Sequence, residues 1–477
     1  MLSEIDLTNF KRFPRARIPL KKINIFVGPN NSGKSSILAA IKLLVQTLDS
    51  YDEQVPLLLN GTFGDFGTYK DIIYKNHRGR PLEIGFKALI QIALGPDASL
   101  IEAQFKLSFK FNSSKREIIL ESVEVKADDE SLIHLKYSKD SSRFNIESIG
   151  KVTIPAAFKS TISRDIRVRH FIPIPLTQRL GQSFSDRDTP VEIFSKEHIN
   201  QETIRLLLKI SRRAGELLES SDYLGPVRSS PQRTYLFTGE RRSRIGSGGE
   251  NMTTVLIKGA MTRRKKDHLS IQSKINDWLV KSKMARQVEI SPISDRHYEI
   301  HIENYFTGEK QNIADVGYGH SQVLPILVGG YSMGPGSTFL IEQPELHLHP
   351  KAQAELGDFF LDLYNNGVQT IIETHSEHLI LRLQQHVASG IIPPNDIAVY
   401  FIRNTTETTL AEDADCISPE IIHLLLNDLG EFTTSWPEGF FPERLNESRK
   451  LAQIRQSKML TTPNEKPSGK VARRRVD

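Results

Sequence analysis

The chain contains a single cysteine, Cys416, and that scarcity removes two kinds of chemistry at once. A lone thiol forms no internal disulfide and builds no cysteine-based zinc cluster, and such sparing use suits a reducing compartment. Long apolar runs are missing as well. No stretch approaches the roughly 18 residues that a membrane-spanning helix needs, so no membrane partner is expected. The N-terminal segment MLSEIDLTNFKRF mixes acids and bases where a secretory signal would carry an apolar block, so the expected location is cytoplasmic. Internal repeats and sustained heptads are absent too, so no extended coiled coil is expected to divide the chain. Neither sign of charge dominates. The 62 Lys and Arg against 57 Asp and Glu leave a formal net charge of +5, too mild by itself to argue for nucleic acid. What remains is an ordinary globular composition, 38% hydrophobic and 25% charged, over 477 residues. That length holds two or three domains, or one large core with insertions.

Against this background the stretch INIFVGPNNSGKSS, residues 23–36, stands out. Ile23, Ile25, Phe26 and Val27 read as a buried strand, and KSSILAAIKLLVQTL shows helical periodicity. Between them runs G-x-x-x-x-G-K-S. Strand, glycine loop and helix in this order form a P-loop. Gly28 and Gly33 let the backbone turn its N–H groups toward phosphate oxygens, Lys34 reaches the outer phosphates, and Ser35 ligates Mg²⁺.

Along the chain, residues 1–80 read as a first ATPase lobe. From 81 to 195 the apolar–polar alternation of AQFKLSFKF, REIILESVEVKA and LIHLKYS predicts antiparallel strands with one wet face. Residues 196–300 read as a helical and basic insertion. It carries a helical pattern near 195–220, the loop YLGPVRSSPQRTY, and the cations Arg241, Arg242, Arg244, Lys258, Arg263, Arg264, Lys265 and Lys266. Residues 301–405 return to nucleotide chemistry, and 406–477 form a C-terminal extension with a basic, disordered tail.

The second half of the site lies in three segments. GSTFLIEQPELHLHP opens with a buried strand ending in Glu342, where a carboxylate grips Mg²⁺. The next position, where a water-activating glutamate is usual, holds Gln343, and Glu345 follows two places on. An amide cannot take a proton, although a glutamine can orient an attacking water. VQTIIETHSEHL is a second apolar strand ending in Glu373, Thr374 and His375, whose imidazole can report a γ-phosphate. Before both lies DVGYGHSQVLPILV, in which Gly317 and Gly319 let backbone approach a ligand and a helix begins near His320.

These elements in this order resemble the ABC-type ATPase heads of the SMC, RecF and OLD group. GPNNSGKSS is similar to their Walker A, FLIEQPELHLHP to their Walker B and D-loop, and ETHSEHL to their H-loop. YLGPVRSSPQRTY, DVGYGHSQVLP, IEQPELHLHPKAQ and WPEGFFPER resemble a subfamily of bacterial predicted ATPases often found with defence genes. The resemblance implies an α/β fold, an ABC-type P-loop ATPase head interrupted by a β-rich arm and a helical segment. It implies that Gly28, Asn31, Gly33, Lys34, Ser35 and Ser36 bind ATP and Mg²⁺, with Lys11 and Arg12 near the phosphates. Glu342 takes the Walker B role beside Ser35 as metal ligand, and His375 becomes the switch histidine. Gly317 and Gly319 would contact the γ-phosphate held by a second copy, so the active form is a homodimer or higher oligomer with ATP between heads.

The chain departs from that pattern in three places. The signature serine falls on Gly317, the catalytic glutamate falls on Gln343, and the Q-loop glutamine has no counterpart near Asp65–Asp71. Slow hydrolysis is therefore expected, with Gln343 or Glu345 positioning the water. The leading expectation is a regulatory ATPase of an anti-phage defence system that controls a separate nuclease or toxin. The rival is a RecF-like clamp on duplex DNA. The basic run from Arg233 to Lys266 fits either phosphate tracking or an acidic partner. His347 and His349 lack a third metal ligand in view, so packing or a D-loop role accounts for them. OLD-type nucleases carry a further domain, and the roughly 75 residues after Phe401 are short for one by ordinary domain sizes. Glu412, Asp413 and Asp415 offer carboxylates of the kind a metal-dependent nuclease uses, and an acidic surface loop explains them equally well.

Overall fold

The computed structural model describes residues 1–93, 98–138, 143–153, 166–175, 201–239, 244–261, 271–407, 416–434, 449–451 and 453. It divides into two compact units, Met1–Thr433 and Thr434–Asp477. In the second, the described residues between 449 and 453 are helical.

Two sheets organise the first unit. The six-stranded sheet runs in the order Asp222–Leu224, Thr338–Glu342, Gln369–Glu373, Ile23–Val27, Ile397–Glu407, Cys416–Leu424. All pairings are parallel except that of the last two strands. Parallel neighbours need crossover connections. Pro350–Asn365 and Glu377–Ala388 supply helical ones here. Such a sheet is covered on both faces, so its strands read as continuous apolar runs. The strands Ile23–Val27, Thr338–Glu342 and Gln369–Glu373 are buried at every residue. The Gln369–Glu373 strand lies between the P-loop strand and the Glu342 strand, which puts Glu373 one strand nearer the P-loop than Glu342.

The other sheet is antiparallel and eight-stranded. The hairpin Leu2–Phe10 and Phe13–Pro19 pairs with Leu82–Ala93, and the sheet continues through Ala98–Asn112, Glu117–Ala127, Glu130–Ser138, Arg143–Ile149 and Val152–Thr153. The alternating segments after residue 80 thus share a sheet with the first strands of the chain. Their alternation slips where the ladders bulge. Leu120 pairs with Phe109 and Ser122 with Ser108, so a bulge at Glu121 moves the buried set from Leu120 to Val123 and Val125. Bulges leave one residue unpaired and shift the facing pattern in this way.

The helix Lys34–Leu48 follows the P-loop and is buried along nearly its whole length. A helix apolar on all sides must be covered on all sides. Its leucines and isoleucines share one core with the antiparallel strands, with helix Gln201–Glu219 and with Leu340, Ile371 and Ala398 of the parallel sheet. In a smaller sheet, Ala285–Pro292, His297–Asn304 and Lys310–Asn312 lie between helix Ile271–Ser282 and helix Tyr318–Ser332 in the chain, and Tyr235–Leu236 joins them from before the first helix. The predicted α/β head with its β-rich arm is the fold observed.

Candidate nucleotide site

The carboxyl ends of parallel strands are where open α/β sheets bind ligands, and the P-loop sits there. The strand ends at Val27 and the chain turns at Gly28 with φ +142. A Cβ at Gly28 would lie 2.1 Å from the carbonyl oxygen of Ile402, so only glycine fits. Asn31 also adopts positive φ, and Gly33 opens the helix with φ +112. The Lys34 ammonium is buried and curls back onto its own loop, donating to the carbonyls of Gly28 and Pro29, each at 2.9 Å. Burial pushes its pKa down, and Glu373 and Glu345 oppose that shift. Ser35 is exposed at the first turn, and the Ser36 amide donates to the Gly33 carbonyl. The Ser32 hydroxyl is buried without a partner.

Three buried carboxylates face this loop, each with different company. Glu342 Oε1 accepts from Lys42 Nζ at 3.1 Å and from the Tyr223 hydroxyl at 2.9 Å. Lys42 lies over the Tyr223 ring, 3.7 Å from its centre. Burial pulls the Lys42 pKa down, with Glu342 opposing it, and burial with the neighbouring Glu342 charge pushes the Tyr223 phenol far up. Glu373 pairs in register with Glu342 on one side and Phe26 on the other. Burial and the Glu342 charge raise its pKa to about 7, against the hydrogen bond from the Ser35 hydroxyl. Its Oε2 has no hydrogen-bond partner. Glu345 has both oxygens engaged, accepting from the Thr374 hydroxyl at 2.7 Å and from the His375 amide at 2.6 Å. Burial raises its pKa, and these hydrogen bonds pull the other way.

The backbone around Gln343 is pinned. Gln343 has φ +47, its amide donates to the Glu373 carbonyl at 2.7 Å, and its carbonyl accepts from Arg228 Nη2 at 3.0 Å. Arg228 also donates to the Glu342 carbonyl at 3.2 Å. Arg228 is 3% exposed, and burial lowers the pKa of its guanidinium to about 10. His375 is half-buried, and burial with the nearby Lys34 charge keeps its imidazole below the usual pKa. Lys11 turns inward over the Phe66 ring, where burial and Lys42 lower its pKa. Arg12 instead reaches Asn404 at 3.3 Å. Gly319 packs under the His347 carbonyl, where a Cβ would come within 2.9 Å, while Gly317 faces open space. The Tyr318 and His347 rings meet edge-on at 4.9 Å, and His349 caps helix Pro350–Asn365 through the Ala352 amide. Among the described residues no His, Cys, Asp and Glu group forms a metal cluster. Glu412, Asp413, Asp415, Arg241, Arg242, Arg263, Arg264, Lys265 and Lys266 lie outside the described residues.

The geometry thus brings Lys34, Ser35, Gln343, Glu345 and His375 around the ends of neighbouring strands, with Lys11 behind them. Several of their partners carried no assigned role in the motif reading. Lys42 was legible as a lone lysine in the apolar run ILAAIKLLV, and Glu373 as a charge ending an otherwise apolar strand. Tyr223 and Thr374 had no such signal. The residues fit a nucleotide with its cation. The loop leaves no room for a Cβ at Gly28, the buried Lys34 ammonium donates to carbonyls of its own loop, and Glu373 Oε2 has no hydrogen-bond partner among the described residues. Phosphates would be held by the loop amides and Lys34, and the cation by Ser35 with a carboxylate, where it neutralises phosphate charge.

Two AAA-type family profiles match the chain. A family profile described as an AAA domain, putative AbiEii toxin, Type IV TA system, matches residues 111–382, and one described as an AAA ATPase domain matches residues 1–219. An uncharacterized protein of Methanocaldococcus jannaschii is 33% identical over 97 residues, 19% of this chain and 43% of that protein. The chain therefore spans less than half the length of that curated relative. Among solved structures, an SMC head bound to the C-winged helix domain of ScpA is 10% identical with a TM-score of 0.41, covering 89% of this chain and 98% of that one. The SMC head domain from Thermotoga maritima is 11% identical with a TM-score of 0.38, covering 88% and 98%. A head with an extended coiled coil, bound to the C-terminal domain of ScpA from Pyrococcus furiosus, is 10% identical with a TM-score of 0.41, covering 95% and 99%. The first profile spans more than half of the chain and takes in the Glu342 and Glu373 strands, so the chain belongs to the AAA-domain ATPases described as putative AbiEii toxin, Type IV TA system.

Proposed function

We propose that the chain is a slow, ATP-held switch that closes as a dimer and controls a separate effector in an anti-phage defence system. The observation that carries the slow turnover is the Glu342–Glu345 segment. Where a proton acceptor is usual stands an amide, Gln343, and the nearest alternative, Glu345, has both oxygens committed to Thr374 and His375. Gln343 then orients water without taking its proton, and Glu345 ties the switch histidine to the segment that carries Gln343. Such a site favours long residence of ATP over rapid turnover.

The dimer reading is supported by Gly317, which faces open space at the start of its helix and suits the approach of a phosphate bound to a second copy. Closing two heads requires ATP to favour the closed form by several kcal/mol, which contacts from both chains would supply. The defence reading is supported by the toxin–antitoxin description of the family. The DNA-clamp rival draws less support, because Arg233 is paired with Asp315 at 2.6 Å and Arg244 with Asp49.

Steady-state ATP hydrolysis by the wild type and Lys34→Ala, with and without duplex DNA, tests the reading. Turnover that is slow, lost in Lys34→Ala and indifferent to DNA is expected. Strong stimulation by DNA, with binding that weakens steeply as salt rises, favours the clamp instead. In Gln343→Glu a restored proton acceptor is expected to raise turnover about tenfold or more. Phage challenge of cells carrying the gene with and without its neighbours tests the defence role. Protection that needs neither the neighbours nor Lys34 defeats the effector-control reading.

A further inference from the structure

Glu373 and Glu342 close adjacent strands of the parallel sheet and have unlike partners. Glu342 is on the strand one place farther from the P-loop strand and is already satisfied by a cation and a hydroxyl, Lys42 and Tyr223. Glu373 is on the strand bonded directly to the P-loop strand, about 4.8 Å nearer by ordinary strand spacing. The Ser35 hydroxyl, at the start of the P-loop helix, is near enough to hold the Glu373 pKa down against burial. Glu373 is 5% exposed, and its Oε2 has no donor.

A buried carboxylate oxygen with no donor is rare in folded proteins, and such oxygens mark places where something else binds. No ion pair within 4 Å reaches Glu373 among the described residues, and the charges that act on it are Glu342, which raises its pKa, and Lys34 and Lys42, which oppose that shift. A hydroxyl and a carboxylate beside a phosphate loop are hard oxygen donors of the kind Mg²⁺ takes, along with phosphates and waters.

We propose that Glu373 is the metal-facing carboxylate of this site. With the Ser35 hydroxyl it holds the divalent cation that accompanies ATP, and Glu342 stands one strand behind, anchored by Lys42 and Tyr223. The inference rests on the reading of the P-loop as an ATP site. A purely structural Glu373 would instead set the shape of the loop through Ser35 and leave the metal dependence of binding untouched.

Titration with a fluorescent ATP analogue, in EDTA and in saturating Mg²⁺, separates the two. The wild type is expected to bind more tightly in Mg²⁺. Glu373→Gln is expected to keep the metal-free affinity within about twofold and to lose about tenfold or more of the Mg²⁺ gain, the size seen when groups that support a metal are removed. Glu342→Gln should lose less. Mn²⁺ binding followed by electron paramagnetic resonance, with a non-hydrolysable ATP analogue present, should weaken in the same order. Thermal unfolding supplies a second readout, because Glu373→Gln removes a buried carboxylate oxygen that has no donor among the described residues and is expected to raise the apo melting temperature. Should Glu373→Gln not fold, Glu373→Asp keeps the charge while retracting it, and carries the same titration. Full retention of the Mg²⁺ gain in Glu373→Gln overturns the inference, as does loss of ATP binding in EDTA from a cooperatively folded variant. A wild type that binds no ATP under either condition overturns the nucleotide-site reading itself.

Discussion

The antiparallel and parallel sheets share one core and treat charge in opposite ways. On the antiparallel sheet, cations and acids form cross-strand pairs on the wet face, such as Lys106 with Glu83 at 3.3 Å and Lys110 with Glu121 at 3.8 Å. All four side chains are substantially exposed. Water screens such pairs, and they contribute little to stability. The parallel strands Ile23–Val27, Thr338–Glu342 and Gln369–Glu373 have no wet face, so charges collect at their ends. There Lys42 and Glu342 meet with side chains only 10% and 11% exposed. The comparison teaches where this protein places costly groups. The arm spends its polarity on solvent, whereas the strand ends concentrate it around the P-loop, where a ligand can satisfy it.

The largest expected effect tests the arm as a hydrophobic scaffold. Phe105 is fully buried and stacks on Phe86 at 4.8 Å, so Phe105→Ala should destabilise by about 4 kcal/mol in urea unfolding. A loss below about 1 kcal/mol would show that the arm is not packed as one core with the head. Next comes the buried pair. Lys42→Met strands the Glu342 charge and should destabilise by about 3 kcal/mol, while the double variant Lys42→Met with Glu342→Leu should recover most of it. If both give the same loss, the charge pair is not what matters at that site.

The third effect is pH-dependent. Asp222, on the edge strand, is buried, and that burial raises its pKa to about 6 in spite of hydrogen bonds from the Ile245 and Tyr223 amides. A folded-state pKa above the unfolded value means that the folded protein binds the extra proton. Its contribution is therefore full below about pH 4 and is lost as pH rises through about 6, a fall of roughly 2 to 3 kcal/mol. Asp222→Asn should flatten that part of the stability profile, and an unchanged slope would assign it to other groups. The smallest effect closes the comparison. Lys106→Ala should change stability by less than about 0.5 kcal/mol and, unlike Lys42→Met, the change should shrink further with salt.

Some of this was readable without coordinates. Alternation in AQFKLSFKF and unbroken apolarity in FLI and TII separate wet-faced strands from doubly covered ones, because side chains alternate across a strand. The bulge at Glu121 was not readable, since it arises where two strands fit each other, and neither strand alone encodes it. The motif reading set Glu342, Ser35 and Lys34 in one site. The observed partners of Glu342 are Lys42 and Tyr223, and the carboxylate on Ser35 belongs to Glu373.

By itself the sequence determined the P-loop, the strand and helix types, and the substitution of an amide at Gln343, because each is encoded in residues close together along the chain. The tertiary structure decided which carboxylate meets Ser35. That choice depends on the Gln369–Glu373 strand entering between strands that begin at Ile23 and Thr338. The hydrogen-bonded register then sets Glu373 beside Phe26 and leaves Glu342 to a lysine two turns down the P-loop helix, contacts between residues some 300 positions apart.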